Sequence, residues 1–274
     1  MRAVALAVAI AAIGDTHGLQ PAFRCALDPA AFESMPAPGP NDWLANHPEP
    51  GQSFDQFVRS NPNRPTAQRH TIYLQPLGRF DLALVKEWTE AFFMMPVVVR
   101  PPLDLGTAHI TSRKNPYGGQ QQLLTTDILA LLQQQLPADA YCMLGITMID
   151  LYPDPAWNFV FGQAALRERV GVYSFARYEG DLRRSCNVLA HETSHMFGIE
   201  HCIYFRCVLN GSNHLAESDA RPMHLCPVDL RKLQWSVGFD VIERYRRLSS
   251  VAKKAGFRDE AEWDALQVQR CGKS

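Results

Sequence analysis

Nine histidines are spread over 274 residues, yet three of them fall within eleven positions. His191, Glu192, His195, Gly198 and His201 spell H-E-x-x-H-x-x-G-x-x-H. From the composition, the first five-residue pattern is expected roughly 0.01 times in such a chain, and the extended one roughly 3 × 10⁻⁵ times, so coincidence does not account for it. The spacing has a physical meaning. Residues four apart stack on one face of an α-helix, so His191 and His195 can offer both imidazoles to one Zn²⁺ at about 2.0–2.1 Å. Glu192 lies beside the first ligand, where its carboxylate can serve as general base toward a water at the metal without itself ligating. Gly198 lets the backbone leave the helix with positive φ, returning His201 as a third ligand and leaving a fourth position open, as hydrolytic zinc requires.

A second set follows directly. Cys202, Cys207 and Cys226 precede Asp229 in the order C-x4-C, then C-P-V-D. Thiolates bind zinc at about 2.3 Å and a carboxylate can substitute for one, so a structural second zinc with Asp229 as the doubtful fourth ligand is one reading. His224 is a candidate replacement for Asp229; three unlinked thiols, or a disulfide plus one thiol, are the others. Cys142, in an apolar run, and Cys186, beside the histidine motif, read as small packed hydrophobes. Cys25 and Cys271 could pair if the chain is exported, and His214 reads as a turn cap or a substrate contact.

The elements that would position these groups begin late. Residues 19–69 are rich in proline and read as an irregular wrap, with at most a helical turn at 54–59. Residues 70–77 read as a strand and 80–95 as an amphipathic helix; a VVV strand, a turn at NPYGG and a helix at 125–136 repeat the strand–helix order. Residues 141–150 are apolar on both faces, as in a central strand, and 157–166 with 170–178 read as an antiparallel pair. The helix 183–198 carries the histidine motif. Helices at 228–238, 241–255 and 259–270 close the chain, so a catalytic domain at 70–201 and a C-terminal lobe at 202–274, bearing the second metal set, are predicted.

The stretch HETSHMFGIEHC, with Cys207 and Cys226, resembles the archaemetzincins, as do GITMIDLYP, WNFVFGQA, SFARY and GSNHLAESDARP. The likeness to the eukaryotic-type members runs roughly over residues 42–247. It implies a metzincin-like zincin fold, an α/β (α+β) domain with a twisted mixed sheet, an active-site helix and a small helical C-terminal lobe. It also implies a zinc metallopeptidase acting on peptide or protein substrates, with His191, His195 and His201 on catalytic Zn²⁺, Glu192 as general base, and a second structural Zn²⁺ held by cysteines. By analogy an extended substrate pairs with the edge strand at 157–166. Two departures stand out: Leu209 occupies the position of the family's Met-turn methionine, and Asp229 that of its last cysteine. A catalytically inert, zinc-stapled interaction protein is the competing expectation, and a zinc amidase a third.

Composition narrows the remaining classes. With 27 Lys+Arg against 28 Asp+Glu and a net charge of −1, the chain has no electrostatic footprint for nucleic acid. Residues 1–18 read either as a short secretory signal or as a first helix packed on the domain, leaving intracellular and exported locations open. The apolar run is too short to span a bilayer, so integral membrane association is not expected.

Overall fold

The computed structural model describes residues 2–178 and 180–273. Met1, at the head of the leader-like segment, lies outside the described residues. In chain order the first elements are α1 (Arg2–Ile13), α2 (Pro21–Ala26), α3 (Trp43–Asn46) and α4 (Phe54–Arg59). Then come β1 (Thr71–Leu77), α5 (Ala83–Phe93), β2 (Val97–Val99), β3 (Ser112–Lys114), β4 (Gln121–Leu124), α6 (Thr125–Gln134), β5 (Ala140–Thr147), β6 (Asp150–Tyr152), β7 (Gly162–Ala165) and β8 (Val170–Ser174). The last are α7 (Leu182–Met196), α8 (Leu215–Asp219), α9 (Pro227–Val237), α10 (Val241–Ala255) and α11 (Arg258–Cys271).

The chain divides into two units. One takes Pro65–Glu90 and Met94–Glu192. It holds a five-stranded sheet in the order β2-β1-β5-β8-β7, parallel except for the β7 edge, which pairs antiparallel to β8. All eight residues of β5 are buried, which explains its apolar character on both faces. Its expected continuation to residue 150 is interrupted. The Thr147 hydroxyl accepts from the Ile149 amide at 3.1 Å, and Ser174 donates to the Ile149 carbonyl at 2.7 Å. This local turn sends the chain into β6, which belongs to a second, three-stranded sheet in the order β3-β4-β6. The single mixed sheet expected from the sequence is therefore two sheets. Between their strands and α6 lies a core that includes Leu123, Ile128, Leu132, Met143 and Val172. Helix α5 stops where Met94 adopts φ 53° ahead of Pro96, since a left-handed residue followed by proline cannot continue a helix.

The edge strand is shorter than 157–166 but in the expected place, with Trp157 and Phe161 exposed just ahead of it. Gly162 tolerates no side chain: a Cβ there would sit 2.1 Å from the Tyr173 ring.

The other unit gathers both ends of the chain: residues up to Arg64, Ala91–Phe93, and Thr193 onward. The wrap at 19–69 is more ordered than its proline content predicts, carrying three short α-helices and a 3₁₀ turn at Pro29–Ala31. The expected turn at 54–59 is α4, started by a capping box in which the Ser53 side chain accepts from the Gln56 amide and Gln56 reciprocates. Helix α1 packs on α4 and α9, with Ala9, Ala12 and Ile13 buried and the carbonyls of Ile13 and Asp15 accepting from Arg231. Cys25 and Cys271 form a disulfide, Cα atoms 5.5 Å apart, that ties α2 to α11 across 246 residues. The C-terminal lobe is helical as expected, with α10 ended by Gly256 at φ 80°, but it shares its unit with the N-terminal segment. No helix among the described residues is long and apolar enough to cross a membrane.

Candidate functional site

Helix α7 is built to hold its polar motif in a fixed place. Asp181 caps it, accepting from the Arg184 amide at 3.0 Å, and Cys186, Leu189, Ala190 and Met196 are buried along it. Residues 191–195 lie on one uninterrupted helix. The helix then closes tightly, the Gly198 amide donating to the His195 carbonyl at 2.8 Å. Gly198 has φ 76°, and a Cβ there would meet Pro62 at 3.0 Å; glycine is needed for both backbone and space.

The ring nitrogens of His191, His195 and His201 converge, one ligand atom from each lying within 4.8 Å of the others. Two of the rings have one nitrogen already engaged. His195 Nδ1 is 2.6 Å from the Ile199 carbonyl and His201 Nδ1 is 2.8 Å from Glu49 Oε1. Those contacts leave Nε2 of each ring for a metal, the arrangement seen when outer partners fix a histidine ligand. Burial, reinforced by neighbouring His201, pushes His195 down to about 4, favouring the neutral imidazole that ligation requires. His191 is buried, and Glu192 beside it is only partly so. Three imidazole nitrogens are a donor set that would fit zinc.

Two residues that sequence reasoning left in the wrap stand against His201. Trp43 meets its ring edge-on, centroids 5.3 Å apart, and its indole N–H donates to Glu49 Oε1 at 2.8 Å. Gln52, also from the wrap, brackets the turn between helix and third histidine, donating to the Gly198 carbonyl at 3.1 Å and accepting from the Glu200 amide at 3.3 Å. No sequence pattern marks these three, because they lie about 150 positions from their partners.

The second set also assembles. Cys202, Cys207, Cys226 and Asp229 are all buried, with one ligand atom from each within 4.8 Å of the others. Cys202 and Cys226 sulfurs are 3.4 Å apart, and Asp229 Oδ2 is 3.3 Å from Cys207 Sγ and 3.4 Å from Cys226 Sγ. Asn210 staples the loop, accepting from the Cys207 amide and donating to the Cys202 and Phe205 carbonyls. Burial pushes Cys202 up, but hydrogen bonds from the Cys207 and Cys226 thiols and two backbone amides outweigh it and hold it well below the ordinary thiol range. Asp229 turns its other oxygen to Lys232, 2.9 Å away and equally buried. Burial raises the Asp229 carboxyl to about 6 even against the Lys232 charge. Three sulfurs and a carboxylate oxygen suit a closed, tetrahedral zinc.

His224 is not part of this set. It stacks on Trp263 at 3.7 Å and pairs with Glu260 at 3.1 Å, so Asp229 is the fourth donor that the chain brings there. Leu209 is fully buried. His214 caps α8, accepting from the Glu217 amide at 3.2 Å, and reaches Asp42 at 3.2 Å, the turn-capping alternative. Cys142 and Cys186 are buried and free, as expected; burial pushes the Cys142 thiol up to about 12.

Comparison with known proteins gives a consistent result. The family described as Peptidase family M54 matches residues 126–235. Archaemetzincin-2 of Macaca fascicularis is 36% identical over 86% of this chain and 78% of its own length, and archaemetzincin-2 of Homo sapiens gives the same figures. Archaemetzincin-1 of Homo sapiens is 34% identical over 76% of this chain and 51% of its own length. The crystal structure of archaemetzincin from Methanopyrus kandleri is 28% identical, covers 64% of this chain and 99% of that one, and superposes with a TM-score of 0.49.

Proposed function

The chain belongs to the archaemetzincin family of zinc-dependent peptidases, and on that premise we propose that it hydrolyses peptide bonds at a zinc held by His191, His195 and His201, with Glu192 as general base. The observation that carries this reading is the convergence of three histidine nitrogens on one helix and its closing turn, two of the rings being oriented from behind. Zinc in such a site supplies Lewis acidity, polarising the scissile carbonyl and making a water acidic enough to attack near neutral pH.

The remaining work falls to the chain. Glu192 adjoins His191 on the helix and is partly exposed, so its carboxylate can take the proton from the attacking water and deliver it to the leaving amine nitrogen. A positioned carboxylate doing this contributes about 10²–10⁴-fold. The β7 strand lies at an edge of the five-stranded sheet, where an extended substrate would pair by backbone hydrogen bonds.

Cys202, Cys207, Cys226 and Asp229 hold a second, structural zinc in this reading. Three thiolates and a carboxylate would leave that centre with excess negative charge, which the buried Lys232 ammonium offsets. Asp in place of a fourth cysteine is thus accommodated by a cation already in the fold.

The test is Glu192→Gln on a peptide library with zinc content measured in parallel. Loss of cleavage by about 10²-fold or more with metal retained is expected. Equal, metal-independent cleavage by both proteins would support the inert, zinc-stapled alternative instead.

A further inference from the structure

We propose that Glu49 is a positioning residue for the catalytic metal: it orients His201 and strengthens it as a ligand, so that the N-terminal segment completes the outer shell of the zinc site. The inference rests on reading His201 as a zinc ligand. His191 and His195 gain their orientation from α7. His201 lies beyond the helix, past Gly198, and no regular element fixes its ring. Its orientation must come from what it touches; besides the His195 ring, 5.0 Å away, those contacts include Glu49 and Trp43 from the N-terminal segment.

The geometry does two things. With Glu49 Oε1 2.8 Å from Nδ1, the proton of the neutral ring resides on Nδ1 and the Nε2 lone pair is left for the metal. A carboxylate acceptor also pushes electron density through the ring toward Nε2, more than the carbonyl that serves His195. Glu49 is itself locked, because the Trp43 indole N–H donates to the same oxygen at 2.8 Å. Trp43 in turn has no freedom to withdraw. Its ring stacks on His47 at 4.0 Å, its amide donates to the Glu217 carboxylate, and it lies so close to Gly211 that a Cβ there would meet it at 2.4 Å.

The cost of this arrangement is visible on the other carboxylate oxygen. Glu49 Oε2 is sealed from solvent with no hydrogen-bond partner among the described residues. A half-satisfied carboxylate is a poor device for stability alone. Its placement is accounted for by what its paired oxygen does to His201.

The test measures zinc affinity at the histidine site by chelator competition, and the visible spectrum of the cobalt-substituted protein, for wild type, Glu49→Gln, Glu49→Ala and Trp43→Phe. Glu49→Ala should weaken zinc about 10–100-fold and alter the cobalt bands. Glu49→Gln, which keeps an acceptor oxygen but no charge, should fall between Ala and wild type, and Trp43→Phe should shift affinity in the same direction by less. The metal at the cysteine set should stay bound throughout, which a general loss of folding would not allow. Wild-type affinity and spectrum in both Glu49 variants would overturn the proposal. If instead wild type and His201→Ala bind zinc equally, the assignment of His201 as ligand fails, a result distinct from the failure of Glu49.

Discussion

The histidine and cysteine sets begin on adjacent residues, His201 and Cys202, and are built on opposite principles. The histidine set offers three donors with the Glu192 carboxylate beside them, and two of its three histidines are partly exposed. The cysteine set offers four donors, every one buried, with a buried lysine behind the carboxylate. Three donors with access is the arrangement for chemistry on a substrate, and four donors without access is the arrangement for holding a loop. On the proposed reading the chain would place a working metal and a stapling metal side by side, with the cysteine set holding the backbone that follows His201 directly.

The contrast can be broken most forcefully at the histidines. His191→Ala should abolish peptide cleavage to the level of buffer while lowering the melting temperature less than loss of the cysteine-bound metal does, as followed by a peptidase assay beside a melting curve. A comparable loss of stability would mean that this site too is a staple. Next in size is Lys232→Met, which leaves the Asp229 carboxylate uncompensated in a sealed environment. Removing one member of a buried pair costs about 3–5 kcal/mol, so denaturant unfolding should show a large loss; a change under 1 kcal/mol would remove Lys232 from the account.

Asp229→Cys sharpens the same comparison from the other side. A fourth thiolate should tighten zinc at the cysteine set by about tenfold, equivalent to ~1.4 kcal/mol, with kcat of the peptidase unchanged; weaker binding in the competition assay would contradict Asp229 as a ligand. The smallest effect is expected for Leu209→Met. The two side chains have similar volume and the position is fully buried, so stability should shift by less than about 1.5 kcal/mol, with zinc affinity at the histidine set unaltered.

How much of this was legible in the sequence follows from the range of each interaction. The α7 motif was readable because ligand geometry is a matter of helical pitch, and the positive φ of Gly198 follows from the need to leave the helix there. Strands β1, β5 and β8 announced themselves through β-branched and apolar runs. The split into two sheets did not, since it depends on Thr147 and Ser174 capturing the Ile149 backbone, which leaves no trace in periodicity. Nor was the wrap readable: Trp43, Glu49 and Gln52 sit among prolines, and their roles exist only through contacts with residues near 200. The same reason explains the domain boundary. Sequence adjacency suggests a lobe beginning at 202, whereas the Cys25–Cys271 disulfide and the packing of α1 on α9 bring the N-terminal segment into the same unit as that lobe. His224, separated by one residue from Cys226, is awkwardly spaced to replace Asp229, and Trp263 and Glu260 hold its ring elsewhere.

The most direct test of two metals with two tasks is a count of zinc ions per chain by native mass spectrometry on wild type, His195→Ala and Cys207→Ser. The account predicts two ions in wild type and one in His195→Ala, which loses cleavage with a smaller drop in melting temperature than Cys207→Ser. It predicts loss of the cysteine-bound ion in Cys207→Ser, with a lowered melting temperature. A single ion in wild type that survives either substitution would contradict it.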